Sequence, residues 1–178
     1  MKNITKILFL AIMAIGMFAC GEKKLTENDL VEAEKTLFND DMTANAEAVP
    51  AVVTQFCKFA EQNPDCVNAP EWLFKALEIS VNYLDAEKTI EIGNQLIENY
   101  PEFEKTPVGM FILGSFVYED KLHDLDKARE MYERILAEYP DSEFVPSVEA
   151  SLRNLGKTPE ELIQEFEQQM QVDSVAEE

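Results

Sequence analysis

Residues that carry chemistry are scarce in this chain of 178: it holds one histidine, three cysteines and six glycines. A single histidine, His123, leaves no His-rich metal centre, and Cys57 and Cys66 do not stand in a CxxC spacing. No glycine-rich loop of the phosphate-binding kind occurs. The acids around His123 (Asp120, Asp124 and Asp126) lack the regular alternation and central glycine of a calcium loop. Basic residues are also few, 15 against 35 acidic ones, for a formal charge of −20. That balance argues against nucleic acid as a partner, because such binding depends on Lys and Arg neutralising phosphates. No carboxylate pair stands out among so many acids. The expectation is a chain that is not an enzyme, with no catalytic residue, no metal and no cofactor.

Long hydrophobic runs are missing at the N-terminus too. Lys2 and Lys6 precede an uncharged run of thirteen residues, Ile7 to Ala19. A membrane span needs roughly 20 apolar residues to cross about 30 Å of hydrocarbon. The run has the length and the basic flank of a secretory signal instead. It ends in Met17-Phe18-Ala19-Cys20-Gly21, which resembles the lipobox of bacterial lipoproteins. The resemblance implies a signal peptide over residues 1–19, cut before Cys20. The Cys20 thiol would then carry diacylglycerol and its new amine an acyl group such as palmitate. Two or more chains hold a protein stably on a bilayer without spanning it. Gly21 in place of Asp implies, by resemblance to the enterobacterial sorting rule, the outer membrane. The expected location is its periplasmic face, with surface exposure left open.

Lipidation of Cys20 leaves Cys57 and Cys66 as an even pair in an oxidising compartment. They flank Pro64, so a loop after a helix ending near Asn63 could fold Cys66 back toward Cys57. Two readings stay open: a disulfide, or two reduced thiols serving as small apolar residues.

What the chain has is a repeat. Asn63-Pro64, Tyr100-Pro101 and Tyr139-Pro140 each precede a second proline by six residues, at Pro70, Pro107 and Pro146. The units are spaced by 37 and 39 residues. The first proline stops a helix, and the second suits the first turn of the next. Between these marks the apolar residues recur at helical offsets. Leu125, Ala128, Met131, Tyr132, Ile135, Leu136 and Tyr139 form one stripe, and Ile90, Gly93, Leu96, Ile97 and Tyr100 form another. The stretch from Val108 to Tyr118 carries no charge. A helix apolar all round must be covered on several sides, and Gly109 and Gly114 predict close helix approach.

These residues resemble a tetratricopeptide repeat protein. Ala128, Tyr132 and Pro140 hold the small–aromatic–proline series of that family, and Leu113-Gly114 holds its leucine–glycine pair. Thr89, Gly93 and Pro101 keep the same offsets in the preceding unit, with Leu77 at the glycine position. Two extra residues lie between Gly114 and Ala128, and the match spans about Val52 to Gly156. The resemblance implies an all-α fold: an antiparallel helix-pair solenoid of about three repeats with a C-terminal capping helix. The helical domain is expected over residues 26–170, after a lipidated linker at 20–25 and before a disordered acidic tail at 171–178. Thr158-Pro159-Glu160-Glu161 would open the cap, whose Leu162, Phe166 and Met170 would cover the end of the stack.

In such repeats the first helix of each pair lines the concave side. Phe74 and Phe111 are equivalent there, as are Val81 and Tyr118, and they form the candidate partner-binding groove for a peptide or helix. By resemblance to tetratricopeptide lipoproteins of Bacteroidota, and more distantly to BamD-like and CpoB-like proteins, the expected role is a scaffold. It would be anchored by lipid and would bind other envelope proteins in outer-membrane assembly or envelope maintenance. The alternative is a ligand-binding lipoprotein assisting an outer-membrane transporter.

Overall fold

The repeated prolines stand at helix boundaries, and they set the order of the helices from α2 to α7. The computed structural model describes residues 23–176, and among these it holds eight α-helices and one π-helical segment. In chain order they are α1 (Glu27–Lys35), α2 (Val49–Gln62), α3 (Ala69–Tyr83) and α4 (Ala86–Asn99). Then come α5 (Thr106–Ile112), which runs on as the π-helix Leu113–Lys121, α6 (Leu125–Glu138), α7 (Val145–Asn154) and α8 (Pro159–Ala176). No strand forms among the described residues, so the all-α expectation holds for them. None of the described helices is long and apolar enough to cross a membrane. The signal segment and Cys20 lie outside the described residues.

Each end has a local cause. Asn63, Tyr100 and Tyr139 are C-caps whose N–H groups still reach the carbonyls of Phe59, Leu96 and Ile135. The proline that follows each has no N–H with which to continue the ladder. Pro70, Pro107 and Pro146 sit in the first turns of α3, α5 and α7, where an N–H would be unpaired anyway. Asp85 and Asp124 cap α4 and α6 by accepting from the N–H of Lys88 and Lys127. Thr26 and Asp29 cap α1 reciprocally, and these bonds, with Lys23, lower the Asp29 carboxyl to a pKa of about 2. Each such cap contributes about 1 kcal/mol.

Packing follows chain order: α2 on α3, α3 on α4, α4 on α5 and its π extension, that segment on α6, and α6 on α7. Polar contacts between alternate helices fix their direction. Asn68 donates to Glu27 at 3.1 Å, Lys75 pairs with Glu34 at 2.8 Å and Lys105 with Glu71 at 2.7 Å. Further along, the Lys121 ammonium donates to the Val81 carbonyl. Starts thus meet starts and ends meet ends, so α1, α3 and α5 run in one direction. The Tyr100 hydroxyl donates to the Ala60 carbonyl at 3.4 Å and that of Tyr139 to the Pro101 carbonyl at 2.9 Å. Those bonds join α2, α4 and α6 end to end in the same way.

The core is a continuous cluster that includes Phe56, Leu73, Leu77, Ile92, Leu96, Met110, Leu113, Tyr132 and Ile135. Each such side chain contributes about 1.5–3 kcal/mol by leaving water. The expected close approach at the glycines is present. A Cβ on Gly114 would stand 2.8 Å from the Tyr132 ring, and one on Gly109 would stand 2.8 Å from Leu96.

The C-terminus departs from expectation in two ways. Helix α8 continues to Ala176, six residues into the stretch expected to be a disordered tail. No glycine or proline follows Pro159, and Glu and Gln dominate, so nothing local stops the helix. Thr158 and Glu161 form the expected reciprocal cap, with N–H bonds of 2.8 and 3.2 Å. Yet α8 does not cover the stack: Leu162 is 36% exposed, Ile163 58% and Phe166 66%. The side chain of Met170 lies outside the described residues. Gly156, at φ 78°, turns the chain away from α7. Four carboxylates in the first nine residues of α8 outweigh its narrow apolar stripe.

Candidate partner-binding groove

The first helices of two successive units, α3 and α5 with its π extension, lie side by side. They leave a depression of about 280 Å³ lined by Glu78, Val81, Asn82, Ile112 and Phe116. Helical spacing puts Glu78, Val81 and Asn82 on one face of α3. Ile112 and Phe116 face them from the neighbouring helix, and Phe116 is 47% exposed. An aromatic side chain half in water beside apolar neighbours offers area that a partner can cover. The rim has a carboxylate and an amide, which can orient a peptide.

Of the four residues expected to line a groove, only Val81 lies in this depression. Phe74 is buried, its ring 6.4 Å from that of Phe103 and 5.4 Å from the Lys105 ammonium. Tyr118 is buried too, with the Lys127 ammonium 5.5 Å over its ring. Burial pushes its phenol pKa up. Phe111 is partly buried between Tyr132 at 5.8 Å and Phe144 at 6.1 Å. These rings hold units together, and a ring packed inside is not free to meet a partner.

Ile112 and Phe116, four residues apart on one face, take their place. Met110, Leu113, Gly114, Val117 and Tyr118 are buried at helical offsets, which leaves Phe116 outward. The element ends in a π-helix, whose i→i+5 ladder holds more residues per turn. The two extra residues between Gly114 and Ala128 are its sequence trace. The helix runs six residues past Leu77 to Tyr83, but seven past Gly114 to Lys121. The turn takes up the other one, with two residues before α4 and three before α6. The left-handed residue of that longer turn is His123, at φ 53°. It is exposed, and its Nδ1 lies 3.2 Å from the Glu119 carbonyl.

Cys57 and Cys66 are free thiols in the structure, the second of the two readings that their spacing leaves open. They address different neighbours. Cys57 is buried and borders the α4 side beside Lys88 and Glu91, and burial raises its thiol pKa to about 11. Cys66 donates toward the Glu27 carboxylate on α1 at 3.4 Å. Each serves as a small packing residue where it stands.

Among the described residues no cluster of His, Cys, Asp and Glu could hold a metal ion. Nor does any buried side-chain donor or acceptor there lack a hydrogen-bond partner. Comparison with protein-family models, with characterised proteins and with solved structures gave no match.

Proposed function

We propose that this chain is a tetratricopeptide-like scaffold, anchored to the outer membrane through lipid on Cys20, that binds other proteins of the bacterial envelope. The observation that carries the binding reading is the Val81–Ile112–Phe116 depression between two parallel first helices. Bonds that recur between successive units, from Lys75 to Glu34 and from Lys105 to Glu71, support the solenoid reading. The lipobox-like Met17 to Gly21 supports the anchor. Such a surface fits an amphipathic helix or an extended peptide that places one or two apolar side chains against Phe116. A role in outer-membrane protein assembly or envelope maintenance follows from the same family resemblance.

The test is affinity purification of the tagged chain from detergent-solubilised envelopes. A stoichiometric complex that is lost from the Val81→Ala, Phe116→Ala variant supports the scaffold. Absence of any partner, together with saturable glycan binding to the purified chain, overturns it in favour of a ligand carrier. The anchor is tested separately. Labelled palmitate should enter the wild-type protein and not the Cys20→Ala variant.

A further inference from the structure

The proposed lipid on Cys20 constrains how the helix stack sits, because the chain is pinned soon after it. The Leu25 N–H donates to the Gln62 side chain at 2.9 Å, and the Leu25 carbonyl accepts from Asn63 at 3.5 Å. Leu25 follows Cys20 by five residues, a reach of at most about 18 Å. Helix α1 starts two residues later, at Glu27, and its nine residues span about 14 Å. Such a tether holds the α1 end of the stack at the bilayer.

Two surfaces adjoin the tether. One is the edge formed by the start of α1 and the turns after α2, α4 and α6. It exposes Val67, but also Asp65, Glu102, Glu104, Asp141 and Glu143, which lipid phosphates repel. The other is the open face of α1. Leu30 and Ala33 are buried where α1 packs on α2, and Val31 and Lys35 stand exposed on the side away from them. Lys24 before them and Phe38 after them keep to the same stripe, at offsets of seven, four and three residues. The turn beyond is closed: the Asn45 N–H donates to the Leu37 carbonyl at 2.8 Å, and the Asn39 N–H to the Thr43 carbonyl at 2.9 Å. It holds Phe38 52% exposed and Met42 76% exposed. Apolar side chains are out of place on the outer face of a terminal unit in water, where such a face is normally polar.

We propose that the open face of α1 and its turn lie on a zwitterionic phospholipid surface in the anchored protein. Val31, Phe38 and Met42 then sit at the boundary of headgroups and acyl chains, and the ammonium groups of Lys24 and Lys35 reach the phosphates. Lys35 can turn to them, since its 2.7 Å pair with Glu32 is exposed and contributes little. Asp40 and Asp41, at the tip of the turn, hold it at headgroup depth, where the lipid's own cation answers a carboxylate. The formal charge of −20 works against an anionic surface. The proposal rests on lipidation of Cys20: the lipid supplies the affinity, and the α1 face sets the orientation.

The experiment introduces tryptophan into the full lipidated chain at two exposed sites, Phe38→Trp on the turn and Val67→Trp on the edge. Each protein is reconstituted with phosphatidylcholine vesicles whose acyl chains carry bromine near the headgroup end. Tryptophan emission is compared with that in unbrominated vesicles, since bromine quenches only an indole that reaches it. The wild type, whose single tryptophan, Trp72, is 7% exposed, gives the background. The Phe38→Trp variant should lose a larger fraction of its emission than the wild type, and the Val67→Trp variant no more than the wild type. Helical circular dichroism checks that both variants are folded. Flotation of the vesicles separates the two readings. A chain that does not float with them has no anchor, which overturns the lipidation reading and this proposal together. A chain that floats overturns the proposal alone if Phe38→Trp is quenched no more than the wild type, or if Val67→Trp is quenched as strongly as Phe38→Trp.

Discussion

The helix pair α3–α4 and the pair that α5, with its π extension, forms with α6 are built on the same frame, yet they distribute bulk in opposite ways. In the first pair Leu77 stands at the glycine position and Gly93 at the aromatic one. In the second, Gly114 and Tyr132 exchange those roles, and the Tyr132 ring lies over the Gly114 backbone. Close contacts in a dense core need one large and one small residue, and Gly93 meets Leu113 of the next pair, whose side chain a Cβ there would approach to 2.6 Å. The second arrangement goes with a π-helix and an exposed Phe116; the first keeps a plain α-helix and half-buries Ile79, the residue 37 positions earlier. Regular packing and an exposed aromatic face are thus two outcomes of one frame.

The largest effect should come from the first pair. Leu77 is wholly buried, and Leu77→Ala should cost about 2–5 kcal/mol through lost transfer energy and the cavity left behind. Urea unfolding followed by circular dichroism measures it. The reverse change at the equivalent site, Gly114→Ala, should cost about 1–3 kcal/mol, since a methyl group must displace a fully buried ring. If Gly114→Ala is neutral, the two pairs do not differ in the way described. In a Tyr132→Leu background the same substitution should cost less, because contacting residues couple.

Much of the frame that the two pairs share could be read directly. Proline positions marked the ends of α2, α4 and α6, because proline's missing N–H acts locally and independently of tertiary context. Gly109 and Gly114 announced close approach for the same reason. The second pair was harder. An α-helical period projects Phe111 and Tyr118 onto one face, but both flank the buried Met110, Leu113, Gly114 and Val117 and are drawn into packing, while Phe116 lies outside that face and stays exposed. The two-residue excess before Ala128 was visible; how a helix and its turn would share it depends on packing against α4 and α6. The thiol state of Cys57 and Cys66 and the exposure of α8 depend likewise on where helices settle, which spacing alone does not encode.

A smaller effect separates the pairs by pH. The Tyr132 hydroxyl donates to Glu119 at 2.8 Å, and burial followed by that carboxylate raises its pKa well above the ordinary 10.0. Gly93, at the equivalent position, has nothing to titrate. A raised native pKa means that the folded state holds the proton more tightly than the unfolded chain. The contribution is complete below pH 10 and is lost as pH rises beyond it. Tyr132→Phe should therefore cost about 1 kcal/mol at neutral pH and flatten the decline in stability above pH 10. Cys57 adds a fall between pH 9 and about 11 by the same sign, so the comparison is made in a Cys57→Ala background. An unchanged alkaline slope in the Phe variant would show that the phenol is not held as described.

The smallest effect on stability should accompany the largest on binding. Phe116 is 47% exposed and borders an open depression, so about half of its ring stays in water on folding. Phe116→Ala should change unfolding free energy by no more than about 1 kcal/mol, well short of a fully buried ring. Recovery of an envelope partner should nevertheless drop sharply, because an exposed aromatic anchor does its work only when a partner covers it. A large loss of stability would mean that Phe116 is a packing residue like Phe74. In that case the π-helix would be a consequence of the extra residue alone, and the groove would have to be sought on another face.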